Sequence, residues 1–103
     1  MSTHCRNWSE IEESVSPNGV RKRAMPGTAV TLVQVMIPAG THAPKHSHGF
    51  EQFVQVLSGS GTLETDRGRV GFAAGSVFHF PPGTEHAAEF ETDTVLVETN
   101  LAH

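Results

Sequence analysis

Cysteine is almost missing from this chain: Cys5 stands alone, so no intrachain disulfide can form, and a reducing compartment suits the protein. Tyrosine is absent, which removes phenols as catalytic acids. Charged residues make up only 17% of the 103 residues, with a formal net charge of -4. Basic side chains gather nowhere beyond Arg21-Lys22-Arg23, so no basic stripe with interleaved aromatics offers itself to nucleic acid. No apolar run approaches the roughly 20 residues of a membrane span. Met1 to Asn7 holds no apolar signal region. The expectation is a cytoplasmic protein with neither a nucleic-acid nor a membrane partner. Nucleophilic schemes also lack support, because neither Cys5 nor Ser47 has a base and an orienting group arranged around it in sequence. Gly59-Ser60-Gly61 reads as a hairpin turn and not as a phosphate cradle.

Glycine (10) and proline (6) are plentiful by contrast. They cut the chain at short intervals, the pattern of many short strands joined by turns. Only Trp8 to Val15 hints at a helix. Ser9 and Glu12 have capping-box spacing, and Trp8, Ile11 and Val15 recur at helical intervals. A loop is the rival reading, since Pro17-Asn18-Gly19 ends the stretch at once. Residues 1–18 are thus expected to form an extension, and residues 19–103 a single all-β domain.

Strands are expected over Gly19 to Ala24, Ala29 to Ile37, Thr41 to His48, Gln52 to Leu57, Thr62 to Thr65, Arg69 to Phe72, Gly75 to Phe80, Ala87 to Phe90 and Thr94 to Thr99. Ala29 to Ile37 is the strongest. Val30, Leu32, Val33, Val35, Met36 and Ile37 make both of its faces apolar. Such a strand is buried on both sides, by its own fold or by a second subunit, so a homodimer is expected. Nine or ten strands at this spacing suggest an antiparallel sandwich or barrel.

His46 and His48 are two residues apart on a β-rich stretch, so a regular strand places both on one face. His86 follows the turn Pro81-Pro82-Gly83-Thr84 on another strand. Three imidazoles converging this way make a divalent metal site. Gln52 shares the parity of His46 and His48. The Gly49-Phe50 turn can shift that register, which keeps Glu51 as a rival fourth ligand.

Gly40-x5-His46-x-His48-x3-Gln52-x6-Gly59 resembles the first motif of the cupin superfamily. Gly75-x5-Pro81-x-Gly83-x2-His86 resembles the second. Fifteen residues separate the two, a spacing like that of small single-domain cupins. The resemblance implies a jelly-roll β-barrel with one divalent transition metal (Ni, Zn, Fe, Mn, Co or Cu) held by His46, His48, Gln52 and His86. Gln52 stands where the motif usually has Glu, which leaves the ligand shell neutral. Phe90 stands where the second motif usually ends in Asn.

His79, flanked by Phe78 and Phe80, is expected to face the barrel interior as a general acid or base beside the metal. The alternative for His79 is a packed structural histidine. Phe50 is the aromatic expected to touch a small-molecule substrate. Of the arginines, Arg21 and Arg23 have a route to the cavity, and Arg23 is the expected carboxylate ligand; the alternative for both is solvated surface charge. His4 and His103 are terminal and carry no assigned role.

Among small cupins, the His-x-His-x3-Gln pattern looks like the pectin-degradation group. That likeness implies Lewis-acid chemistry on a small carbonyl or hydroxy compound such as a uronate or sugar derivative. The group's last strand usually brings acidic, aromatic and arginine residues to the site, whereas Thr94 to Asn100 has no arginine and no aromatic. Two other readings stay open: a dioxygenase or related oxidoreductase acting on a small diketone, thiol or phenol, and a non-catalytic small-molecule-binding domain.

Overall fold

Branched apolar residues at every second position make Val30–Ile37 and Glu51–Ser58 strands of eight residues, with Val33, Val35, Ile37, Val54 and Val56 buried on one side. A computed structural model describes residues 4–102, and His103 lies outside them. After a 3₁₀ turn at Trp8–Glu10 come ten strands: β1 (Ser14–Val15), β2 (Arg21–Pro26), β3 (Val30–Ile37), β4 (His42–His46), β5 (Glu51–Ser58), β6 (Ser60–Thr65), β7 (Gly68–Ala73), β8 (Val77–Phe80), β9 (His86–Phe90) and β10 (Thr94–Leu101). They form two antiparallel sheets, β1-β2-β3-β10-β5-β8 and β4-β9-β6-β7. This is the expected all-β jelly roll.

The expected helix at Trp8 to Val15 is corrected. Only Trp8–Glu10 turns helically, with Glu10 Oε1 accepting the backbone N–H of Asn7 at 2.6 Å. The capping box therefore uses Asn7 and Glu10, not Ser9 and Glu12. Eight residues are too few for a stable helix without tertiary support, whereas the edge of β2 offers backbone partners. The Pro17-Asn18-Gly19 turn folds Ser14 and Val15 back onto Lys22 and Arg21. The extension thus supplies the edge strand, and the sheet begins at Ser14 instead of residue 19.

The core lies between the sheets. Val35, Val54, Val56 and Leu96 project from the larger sheet, and Leu63, Phe72 and Phe90 from the smaller. Each such side chain contributes about 1.5–3 kcal/mol on burial. Gly59 joins β5 to β6 with φ +101°, and a Cβ there would run into Thr94 Oγ1 and sit 2.6 Å from Asp93 O. The turn therefore admits only glycine. At one end of the sandwich the apolar filling gives way to a hollow, and polar side chains gather there.

Candidate metal centre

β4 and β9 pair in the smaller sheet, and their register sets His46 directly opposite His86. The two rings lie 4.2 Å apart between centroids. His48 follows just beyond the end of β4, with its ring 5.0 Å from His46 and 5.5 Å from His86. One ligand atom from each of the three falls within 4.8 Å of the others. The turn of the second motif is tied to the first: Gly83 N–H donates to His48 O at 2.7 Å, and Thr84 N–H to Pro81 O at 3.1 Å. Gly83 takes φ +81° to make that turn.

Backbone contacts select the ring nitrogens. His46 Nδ1 lies 2.8 Å from Pro44 O, and His86 Nδ1 lies 3.0 Å from Thr84 O. A carbonyl can only accept, so each Nδ1 carries the proton and each Nε2 presents a lone pair. Phe80 lies flat against His86 at 3.9 Å and 5°, and Phe50 against His48 at 4.8 Å and 15°. These stacks fix the ring planes.

Burial and nearby positive groups disfavour imidazolium at His48 and His86. Burial lowers the pKa of His48 from the ordinary 6.5, nearby His46 and Lys22 lower it further, and Glu98 opposes. Burial also lowers that of His86; the bond to Thr84 opposes, and His46 and His48 add to the lowering. Neutral imidazoles are the form that binds a metal.

Gln52 is buried on the inward face of β5, 3% exposed. Its Nε2 donates to Asn100 Oδ1 at 2.9 Å. The amide oxygen is then the atom left for a cation. Glu51 points to the opposite face of β5 and meets His79 at 2.6 Å, which removes it as the rival ligand. This also corrects the expectation for His79. Phe78 and Phe80 take the inward parity of β8, so His79 lies on the outer face, half exposed and stacked on Phe53 at 4.5 Å. It is not among the residues brought to the three-histidine cluster.

Arg23 is corrected in the same way. Lys22 pairs with the buried Val35, while Arg23 pairs with Gln34 and so turns outward. Its guanidinium meets Glu13 at 3.4 Å, and its Nε is buried without a partner. Lys22 is the basic residue that faces inward. Phe53 also lies on the outer sheet face and takes no part in the core.

Two hollows meet at the cluster. One, of about 450 Å³, reaches His86. The other, of about 530 Å³, reaches His48, Phe50 and Asn100. Ser14, Lys22, His46, Gln52 and Glu98 line both. Glu98 and Asn100 escaped the sequence reading. The signal for them was parity: both follow the buried Leu96 at intervals of two on β10, which makes them inward polar residues on an otherwise apolar strand.

A family model for the cupin domain matches residues 33–100. No curated protein matches the chain in sequence. Among solved structures, an RmlC-like cupin from Shewanella frigidimarina superposes with TM-score 0.89 at 21% identity, over 99% of this chain and 93% of its own. KdgF from a Halomonas species gives 0.82 at 20% identity, over 92% and 89%. Oxalate decarboxylase of Bacillus subtilis, a protein with Mn(II) centres, gives 0.80 at 15% identity, over 92% of this chain and 28% of its own. At these identities the likeness is one of fold.

Proposed function

The chain belongs to the cupin domain family, and on that premise we propose that it holds one divalent transition metal through His46, His48 and His86 and acts on a small carboxylate. One observation carries the reading: three imidazole nitrogens gather within 4.8 Å, two of them with the tautomer set by a backbone carbonyl. This donor set suits Mn, Fe, Co, Ni, Cu or Zn. The amide oxygen of Gln52 completes the shell. A metal bound there supplies Lewis acidity toward a carbonyl or hydroxyl oxygen.

The chain's own side chains define what enters. The ligand shell is neutral, so a divalent cation keeps its full charge. Lys22 adds one positive charge to the hollow, while Glu98 and Glu12 at its wall remove two. The net charge of +1 favours a monoanion. Lys22 holds the carboxylate, and Phe50 covers the apolar part of the molecule. Glu98 accepts or returns a proton, the role that the outward-facing His79 is not placed to fill. KdgF and oxalate decarboxylase share the fold, and oxalate is itself a small carboxylate, which supports this substrate class. A proton acceptor in the cavity favours non-redox chemistry over an oxygenase. The dioxygenase alternative predicts oxygen consumption with a diketone, thiol or phenol.

Metal analysis of protein purified without added metal, beside His86→Ala, tests the proposal. Wild type is expected to hold one metal per chain and His86→Ala none, with both folded by circular dichroism. Equal metal contents in the two folded proteins would overturn it.

A further inference from the structure

The hollow of about 450 Å³ changes character along its length. At the histidines it is polar, with Lys22, Gln52 and Glu98 on its walls beside His46 and His86. At its outer rim the polar side chains already have partners. Ser16 Oγ donates to Asn18 Oδ1, Ser14 Oγ to Lys22 O at 3.4 Å and Thr41 Oγ1 to Pro38 O at 2.7 Å, while His42 meets Glu89 at 3.5 Å. Between these two ends, every lining side chain among the described residues is apolar.

Two alanines open this middle stretch. Ala43 pairs with Ala88 and Ala88 with Leu63, so the three make one inward row across β4, β9 and β6. On the facing sheet Phe78 pairs with Val54, and Val54 with Glu98. Val20, Ala43, Phe78 and Ala88 pack against the core but are only half-buried. Apolar groups at the wall of a hollow forfeit contacts that a densely packed interior supplies. Along β9, His86, Ala88 and Phe90 share the inward parity. At about 3.3 Å per residue, the alanine row lies about 7 Å beyond the histidines and Phe90 about 13 Å.

We propose that this stretch holds an unbranched apolar arm of the substrate. The inference rests on the carboxylate reading above and narrows it to a hydroxy or oxo acid with an alkyl chain, as against a polyhydroxylated sugar acid. The carboxylate stays at Lys22, and the chain passes Glu98 to lie between the alanine row and Phe78. A sugar acid of the same length carries hydroxyls into a stretch with no polar side chain to meet them. The backbone on that wall is committed to the β4–β9 and β9–β6 ladders. Each hydroxyl left there without a partner weakens binding about fivefold or more. Each methylene withdrawn from water strengthens it about fourfold.

Calorimetric titration of the metal-loaded protein with glycolate, 2-hydroxyhexanoate and gluconate tests the proposal. The last two share a head group, a charge and a carbon number, and differ only in hydroxylation. 2-Hydroxyhexanoate is expected to bind about thirtyfold or more tighter than either of the others. Ala88→Leu, which fills the row, is expected to lose that gain over glycolate while keeping its circular dichroism spectrum. Wild type that binds 2-hydroxyhexanoate no better than glycolate, or gluconate better than 2-hydroxyhexanoate, would overturn the apolar arm and leave the carboxylate reading in place. A folded Ala88→Leu that keeps the full gain would overturn it too. If none of the three acids binds, the carboxylate reading fails, and hexanol titrated into the metal-free protein decides the apolar stretch separately. It is expected to shift the methyl signals of Ala43 and Ala88 in nuclear magnetic resonance spectra, and unchanged signals would overturn the proposal.

Discussion

His46 and His86 face one another across the β4–β9 ladder, and each ring is held by a backbone carbonyl two residues before it, Pro44 O and Thr84 O. The equivalence is geometric: two adjacent strands present the same Nδ1 contact and therefore the same free Nε2. On the proposed function, metal binds the folded chain and not the unfolded one, so metal and stability are coupled. Divalent metal at a hundred times its dissociation constant is expected to add about 2.7 kcal/mol. For a domain of this size that raises the midpoint of thermal unfolding by on the order of 10 °C. Differential scanning calorimetry with and without a chelator measures it. His46→Ala, exposed and cheap to truncate, is expected to abolish the shift while leaving the metal-free midpoint nearly unchanged.

Acid is expected to destabilise the metal-free protein. His48 and His86 both have folded pKa values below the ordinary 6.5, chiefly through burial. Between 6.5 and those lower values the unfolded chain binds more protons than the folded one. Stability therefore rises with pH across that window. It is full above 6.5 and falls as pH drops toward the folded values. The same protons compete with metal, so affinity declines in the same direction. Urea titrations of the metal-free protein at pH 7.5 and 5.5 compare the two states. In a His48→Ala/His86→Ala variant the difference is expected to shrink.

Gln52→Glu is expected to tighten metal binding by about tenfold or more, since a carboxylate beside a divalent ion adds direct Coulomb attraction. The substitution also places a carboxylate against Asn100 Oδ1, so the Asn100 amide must turn over and donate instead. The added negative charge lowers the Lewis acidity of the metal. Tighter binding with slower turnover is the expected pair of results, read by competition with a metallochromic dye and by steady-state rates on one substrate. Tighter binding with faster turnover would show that the neutral shell is not there for acidity.

The sequence made the strands and the clustering of His46, His48 and His86 legible because both rest on local pattern. Alternation in Val30 to Ile37 and Gln52 to Leu57 reports a face directly, and glycines such as Gly59 and Gly83 report positive φ at turns. Parity was harder wherever the strand phase lacked an apolar anchor. Arg21-Lys22-Arg23 has none, and only pairing with Val35 shows that Lys22 is the inward member. His79 sits between two phenylalanines, and either phase looks apolar until Phe80 is seen stacked on His86. Long-range order was out of reach. That β10 runs between β3 and β5, and so carries Glu98 and Asn100 into the hollow, depends on closing the chain over some 60 residues.

The neighbours Lys22 and Arg23 give the sharpest test of the site's polarity, because they differ by one residue and face opposite ways. Lys22 lines both hollows, and among the described residues it makes no ion pair. Arg23 is engaged with Glu13 on the outer side. Lys22→Ala is expected to weaken binding of a small hydroxycarboxylate such as glycolate by about tenfold, the scale of a charge-assisted hydrogen bond partly open to water. Metal content is expected to stay at the wild-type value, since Lys22 supplies no ligand. Arg23→Ala is expected to leave glycolate affinity unchanged. It costs stability instead, by about 1 kcal/mol or less for its half-buried ion pair. Calorimetric titration of glycolate into metal-loaded wild type and both variants separates the two. If Arg23→Ala loses the ligand while Lys22→Ala keeps it, the inward phase assigned to β2 is wrong. Equal affinity in all three would remove Lys22 from the site, leaving the three-histidine cluster to stand on the metal analysis alone.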